Sequence, residues 1–146
     1  VPFNPNRIAD LLPPGLSELT GRTLLALMFV LAGYSKLGNY DGNLAYMASA
    51  GVPGFLLPPV IALELLGGIA LIGGVFTRYV ALAMVPILLG ATYVHSSAGW
   101  LFSNEGGGWE FPAFWAVALI VQALLGDGAF ALRSPAKNRR TAEAAA

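Results

Sequence analysis

The sequence contains no cysteine and one histidine among its 146 residues. Without cysteine the chain cannot form a disulfide or offer a thiolate for metal binding or redox chemistry. A single histidine cannot by itself supply a pair of haem ligands or a tetrahedral metal site. The sequence therefore predicts no metal centre and no cofactor held within the chain alone.

Charged residues are also scarce, at 11% of the chain, and the formal net charge is zero. Ordinary soluble domains carry about 25% charged residues. Because phosphate binding requires a concentrated basic surface, the neutral balance argues against a nucleic-acid partner. Apolar residues instead make up 56% of the chain, and the mean hydropathy is +0.67. This composition predicts an integral membrane protein in contact with lipid.

Four apolar runs predict four membrane-spanning helices. They lie at approximately Ser17–Leu37, Pro58–Phe76, Tyr79–Val94 and Phe111–Leu125. Ser17 is the expected N-cap of the first span, Thr77–Arg78 is the expected turn after the second, and Pro86 is expected to kink the third. The segment Asn39–Ala50 has the spacing of a short helix lying in the membrane interface. The predicted fold class is therefore all-α, an integral membrane four-helix bundle with a short interfacial helix between spans one and two.

The basic residues are distributed unevenly about these spans. Only Lys36 falls on the side opposite the chain termini, and seven fall on the side of the termini: Arg7, Arg22, Arg78, Arg133, Lys137, Arg139 and Arg140. The positive-inside rule then places both termini in the cytoplasm of a bacterium, with the spans in its inner membrane. Residues 1–16 form a cytoplasmic segment in this prediction, residues 17–132 the membrane domain, and residues 133–146 a basic cytoplasmic tail.

The most informative polar residue is Glu64, a carboxylate within the second apolar run. An ionised group inside a membrane is costly unless it faces other helices and finds a partner. Small residues occupy the same helical face, which favours an inward orientation. Lys36 and His95 fall at a similar depth, near the outer ends of their spans. The pattern predicts a Lys36–Glu64 ion pair, with Tyr93 or His95 close by.

Two interpretations of this cluster follow. In the first, which the sequence favours, the ion pair only orients the first two spans, as buried pairs often do. In the second, the cluster binds a quinone carbonyl beside apolar walls or relays a proton. On the cytoplasmic side, Arg22, Arg78 and Asp127 are candidates for a polar contact at one level, but the Gly-Asp-Gly sequence around Asp127 favours a plain helix stop. Gln122 in the fourth span is expected to hydrogen-bond to a neighbouring helix.

The order of these motifs resembles the DoxX family of small bacterial four-span membrane proteins. The resemblance covers approximately Gly21 to Leu132 and rests on Arg22, Gly33-Tyr34-Ser35-Lys36-Leu37, Glu64 with Gly67 and Gly68, Gly74-Val75-Phe76-Thr77-Arg78, and Gly126-Asp127-Gly128. The family is named for a membrane component associated with a quinol oxidase and a thiosulfate:quinone oxidoreductase. The resemblance thus implies a four-helix membrane fold and makes Lys36, Glu64 and Arg78 the first positions to test.

Two functional hypotheses result. The first is a non-catalytic accessory or assembly subunit of a larger membrane complex, respiratory or photosynthetic, because the chain lacks a self-contained redox or hydrolytic site. Its partners would be lipids and the other subunits of that complex. The alternative is a subunit of a quinone-linked oxidoreductase, with quinone as its cofactor and a site near Lys36, Glu64 and His95. The sequence thus favours a protein that is not itself an enzyme.

Overall fold

The computed structural model describes residues 11, 13 and 15–126. The predictions for the N-terminal segment, for Asp127 and for the basic tail fall outside this part of the chain. Within it, five α-helices follow one another: α1 (Leu16–Gly38), α2 (Tyr40–Ser49), α3 (Leu57–Gly73), α4 (Thr77–His95) and α5 (Glu110–Leu125). Two short 3-10 helices, Gly54–Leu56 and Ser96–Ala98, precede α3 and follow α4. No β-strand occurs in the described residues, so the predicted all-α class is confirmed.

Three of the helices described are long and apolar enough to cross a membrane. They are α1, α3 with its preceding 3-10 turn, and α4 with its following one. Helix α5 is also apolar but has 16 residues. At about 1.5 Å per residue it falls short of a ~30 Å hydrocarbon core. The fourth predicted span therefore coincides with a bundle helix that is shorter than the other three.

The beginning of α1 differs from the prediction. Ser17 is not the N-cap, because the helix begins at Leu16 and the capping position is Gly15, in the left-handed conformation with φ 82°. Glycine adopts this conformation without steric cost. The Ser17 hydroxyl instead donates to the neighbouring Glu18 carboxylate, at 3.2 Å.

The turn between α3 and α4 also lies earlier than predicted. Helix α3 ends at Gly73, and Gly74 follows in the left-handed conformation with φ 68°. The Val75 amide donates to the Ala70 carbonyl at 2.9 Å, the closing bond of a Schellman motif. Thr77 and Arg78 thus belong to the first turn of α4, and the prediction that they form the turn is wrong. Helix α4 continues through Pro86.

The bundle packs α1 most extensively against α3 and α4 against α5, while α3–α4 and α1–α5 contacts join the two pairs. The Phe29 and Trp115 rings meet at its centre, with centroids 4.3 Å apart. Around them lie further buried apolar side chains: Ala26, Leu71, Ala81, Met84, Leu88, Ala116, Leu119 and Ala123. Many leucines, valines and isoleucines face outward instead. An apolar surface around an apolar core is favourable in contact with lipid and unfavourable in contact with water.

Glycines set the distance between α1 and α3. A Cβ atom on Gly68 would lie 3.0 Å from the carbonyl oxygen of Ala26, and one on Gly33 would lie 3.3 Å from the Cβ of Glu64. Small residues at such positions let helix backbones approach closely in membranes. The inward orientation predicted for the face of α3 that carries Glu64 is confirmed, because Glu64, Gly68 and Leu71 are all buried.

Candidate functional site

The structure brings Lys36 of α1 and Glu64 of α3 together. Lys36 Nζ donates to both carboxylate oxygens of Glu64, at 2.8 Å to Oε1 and 2.9 Å to Oε2. The Glu64 side chain is 4% exposed and the Lys36 side chain 26% exposed. The carboxylate is therefore enclosed by protein, whereas the ammonium group keeps access to the surroundings. An ammonium has three N–H donors, so one remains after the two bonds to Glu64.

A second polar group lies at the end of α4, where His95 is the last residue of the helix. Its Nδ1 atom lies 3.0 Å from the carbonyl oxygen of Gly106 and 2.9 Å from that of Gly107. The Tyr46 hydroxyl of α2 is 3.1 Å from the same nitrogen and donates to the Gly106 carbonyl at 3.1 Å. These contacts join α2, α4 and the glycine-rich loop of residues 99–109, which connects α4 and its 3-10 turn to α5.

The two polar groups line one cavity of about 370 Å³. This volume falls within the range of small-molecule binding sites. Its polar side chains are Lys36, Asn43, Tyr46, Glu64, Tyr93 and His95, and its apolar walls include Met47, Val52, Leu56, Leu57, Val60, Pro86, Ile87 and Val94. The arrangement offers hydrogen-bond donors and acceptors among apolar walls. It suits a flat or elongated molecule that carries a few oxygen atoms.

All four residues predicted for the outer cluster line this cavity, although His95 bonds to Tyr46 and to the loop and not to the ion pair. Tyr93 belongs to the rim, because 64% of its surface is exposed. Sequence reasoning missed Tyr46 and Asn43. Both are half-buried positions of α2, and the prediction of a short interfacial helix assigned none of its side chains to the site. The run of three glycines at 106–108, which lets the loop backbone approach a ring, was the available signal for the contact with His95.

The polar contacts predicted away from the cavity, around Arg22, Arg78 and Gln122, involve other partners than expected. Arg78 Nε donates to the carbonyl oxygen of Ala123, at 2.9 Å, near the end of α5. Arg22 is buried, and its Nη2 atom lies 3.5 Å from the carbonyl oxygen of Ile72. The predicted partner of these arginines, Asp127, lies outside the described residues. Gln122 donates to the Gly126 carbonyl at 2.9 Å, four residues along its own chain. The expected interhelical bond of Gln122 is therefore wrong, since the amide satisfies the end of its own helix.

An aromatic groove lies at the N-terminal end of α5. It is lined by Trp100, Phe102, Trp109, Phe111, Phe114 and Val117, and its volume is about 680 Å³. The Trp100 and Trp109 rings meet edge to face with centroids 4.4 Å apart. Backbone bonds fold the loop onto itself, including Trp109 N–H to the Gly99 carbonyl at 3.0 Å. The groove is thus held by ring packing and by the loop backbone together.

A bundle with three long apolar helices and an enclosed ion pair defines a polytopic α-helical membrane protein. The DoxX family model matches residues 17–97, and the chain belongs to the DoxX family. The predicted resemblance is confirmed, and the matched segment runs from α1 to the turn after α4. Inner membrane protein YphA of Escherichia coli is 32% identical over 121 residues, covering 78% of this chain and 86% of YphA.

Two further relatives match shorter segments. Inner membrane protein YqjF of Escherichia coli is 44% identical over 80 residues, 54% of this chain and 62% of YqjF. A Bacillus subtilis protein named "Putative oxidoreductase CatD" is 31% identical over 76 residues, 52% of this chain and 57% of CatD. The chain thus covers less than two thirds of the length of YqjF and of CatD. No solved structure gave a significant match.

Proposed function

We propose that this chain is a quinone-binding subunit of a membrane oxidoreductase complex. The observation that carries the proposal is the cavity of about 370 Å³ with the Lys36–Glu64 pair and the Tyr46–His95 pair among apolar walls. A quinone headgroup is a flat apolar ring with two carbonyl oxygens. Such a ring fits between apolar side chains, and each oxygen can accept a hydrogen bond.

Lys36 is the donor that the cavity offers to a carbonyl oxygen. Its ammonium group keeps one N–H beyond the two bonds to Glu64, and its side chain is partly exposed. Glu64 holds the ammonium in place and balances its charge, so the donor is already oriented before a ligand arrives. A preorganised donor binds a ligand with a smaller loss of side-chain entropy.

Reduction or oxidation of a bound quinone requires an electron donor or acceptor. Because the sequence has no cysteine and one histidine, we assign that role to a flavin- or metal-containing partner protein. This chain would then supply the quinone site and the partner the electrons. The name of its relative, "Putative oxidoreductase CatD", agrees with this assignment.

The test is a quinone titration of the purified protein in lipid nanodiscs, with a short-chain ubiquinone analogue as ligand and tryptophan fluorescence as readout. The wild type is expected to bind saturably at one equivalent. Glu64→Gln removes the charge that holds Lys36, and the affinity is expected to fall about tenfold. Glu18→Gln, a matched change at an exposed position outside the cavity, is expected to bind as the wild type does. Equal binding by both variants, or no saturable binding by the wild type, would overturn the proposal.

A second candidate function is the accessory or assembly subunit without a ligand of its own, and the aromatic groove of the loop and α5 favours it. Three of the groove's aromatic side chains, Trp100, Phe102 and Phe114, are more than half exposed. Gentle solubilisation from native membranes followed by native mass spectrometry would test this function. Loss of co-purifying subunits in Phe114→Ala, with quinone binding retained, is the expected result. A monomer in the wild type would contradict it.

We further propose that the protein lies in the bacterial inner membrane with both termini in the cytoplasm, as the basic residues indicate. Two relatives carry the designation inner membrane protein. Because the sequence has no cysteine, single cysteines give an unambiguous topology test with a membrane-impermeant maleimide. Ser103→Cys is expected to react in intact spheroplasts, whereas Ser17→Cys and Ser134→Cys are expected to react only after lysis. Reaction of Ser17→Cys and Ser134→Cys under different conditions would place the termini on opposite sides.

A further inference from the structure

The bonding of His95 determines which of its ring nitrogens carries the proton. Nδ1 faces two backbone carbonyl oxygens, at 3.0 and 2.9 Å. A carbonyl oxygen only accepts hydrogen bonds, and the Tyr46 hydroxyl beside Nδ1 donates its own proton to the Gly106 carbonyl, so Nδ1 is the donor to these oxygens. In the neutral imidazole the other nitrogen, Nε2, is then an acceptor with a free lone pair. The loop carbonyls therefore fix the tautomer of the ring.

The orientation of the ring sets what Nε2 can do. The Nδ1–Cε1 edge lies toward the loop, since a Cβ on Gly107 would be 3.7 Å from Nδ1 and 3.8 Å from Cε1. No hydrogen bond to Nε2 is found within the described residues, yet His95 lines the cavity. Nε2 is thus the polar atom through which His95 can meet a ligand.

We infer that the cavity binds the dihydroxy form of its ligand, a hydroquinone, in preference to the oxidised quinone. One ligand hydroxyl donates to His95 Nε2, and the opposite ligand oxygen accepts from Lys36 Nζ. A quinone has two acceptor oxygens and no donor, so it satisfies Lys36 but leaves Nε2 without a partner. Sites built around a hydrogen bond discriminate strongly against analogues that lack it. The inference rests on the proposed quinone function and specifies the redox state that the site selects.

The test compares the affinities of ubiquinol-1 and ubiquinone-1 for the protein in nanodiscs under anaerobic conditions. The wild type is expected to prefer the quinol at least tenfold, which raises the potential of the bound two-electron couple by about 30 mV. His95→Asn places an amide N–H near the position of Nδ1, where it can still bond to the loop carbonyls, but it lacks an acceptor at Nε2. The ratio of its quinol affinity to its quinone affinity is therefore expected to fall from at least ten to about one.

Asn104→Ala separates the effect of the acceptor from an effect of a loosened loop. It removes the bond from Asn104 Nδ2 to the Ala98 carbonyl, 2.9 Å, without touching the cavity. This variant is expected to keep the quinol preference, and loss of the preference here would overturn the inference. Equal wild-type affinities for quinol and quinone would also overturn it while leaving the proposed function intact. Absence of binding by either form would instead remove the proposed function.

Nitrogen NMR provides a check that needs neither a variant nor a ligand. His95 is the sole histidine in the sequence, so ¹⁵N-histidine labelling reports on this ring alone. The expected spectrum of the neutral ring shows Nδ1 protonated and Nε2 bare. The opposite tautomer would contradict the inference even where His95→Asn does not fold.

Discussion

Removing the positive partner of the buried pair should destabilise the protein more than removing the negative one. Lys36→Met leaves the Glu64 carboxylate, 4% exposed, without its two charge-assisted bonds. Breaking a fully buried pair in this way costs about 3–5 kcal/mol. Lys36 is 26% exposed, and a stranded carboxyl group can take up a proton, which limits the penalty. We therefore expect Lys36→Met to lower the free energy of unfolding by about 2–3 kcal/mol.

The reverse change should be milder because of the same difference in exposure. Glu64→Leu leaves an ammonium group on a flexible side chain that can extend toward the membrane surface, so we expect a loss of about 1 kcal/mol. The double variant contains no stranded charge and should be within about 1 kcal/mol of the wild type, since apolar replacements of buried pairs are often neutral.

These values can be measured by reversible unfolding in mixed micelles, followed by tryptophan fluorescence, to which the buried Trp115 contributes. Lys137→Met, in the basic tail, controls for the loss of one positive charge. The double-mutant cycle should give a coupling energy of about 3 kcal/mol, which is the sum of the two single losses minus the loss in the double variant. Additive single effects, or a Lys36→Met variant as stable as the wild type, would refute the reasoning that the carboxylate depends on this one partner.

Two further predictions concern the packing of the bundle. Gly68→Ala should lower the free energy of unfolding by about 1–3 kcal/mol in the same assay, because its Cβ would press against the α1 backbone. Gly21→Ala, in a helix with nothing within 4 Å, should be neutral or slightly stabilising, and similar losses in the two variants would contradict this account. Phe29→Ala should cost about 3–5 kcal/mol by leaving a void beside Trp115. Phe114→Ala, at a side chain 73% exposed, should change stability by less than about 0.5 kcal/mol, and an equal loss there would contradict the assignment of the core.

Much of the fold could be predicted because the apolar runs and their breaks are strong signals. Four of the five helices match predicted spans to within a few residues, and α2 lies within the predicted Asn39–Ala50 segment. The largest errors concern helix ends. At the end of α3, Gly73, Gly74 and Phe76 offered several stop positions, and only the Schellman geometry at Gly74 selects among them.

The candidate site was only partly predictable. Lys36 and Glu64 could be paired by counting residues from the membrane surface, because depth in a spanning helix follows from sequence position. The contact of His95 with Gly106 and Gly107 could not, since it depends on how a loop folds back on itself. Nor does hydropathy reveal an enclosed cavity. The sequence therefore favoured an accessory role, and the cavity is what makes quinone binding the stronger proposal.

The glycines and the charges of α1 and α3 form one spatial unit and not two separate motifs. A Cβ atom on Gly33 would lie 3.3 Å from the Cβ of Glu64. Gly33 precedes Lys36 on α1 by about one helical turn. A side chain at Gly33 would hold the helices apart, and Lys36 Nζ could then no longer reach both carboxylate oxygens at about 2.8–2.9 Å. The close approach also fixes one wall of the cavity, since both charged residues line it. Any change that separates α1 from α3 should therefore weaken the ion pair and the binding site together, which distinguishes a preorganised site from a chance gap between helices.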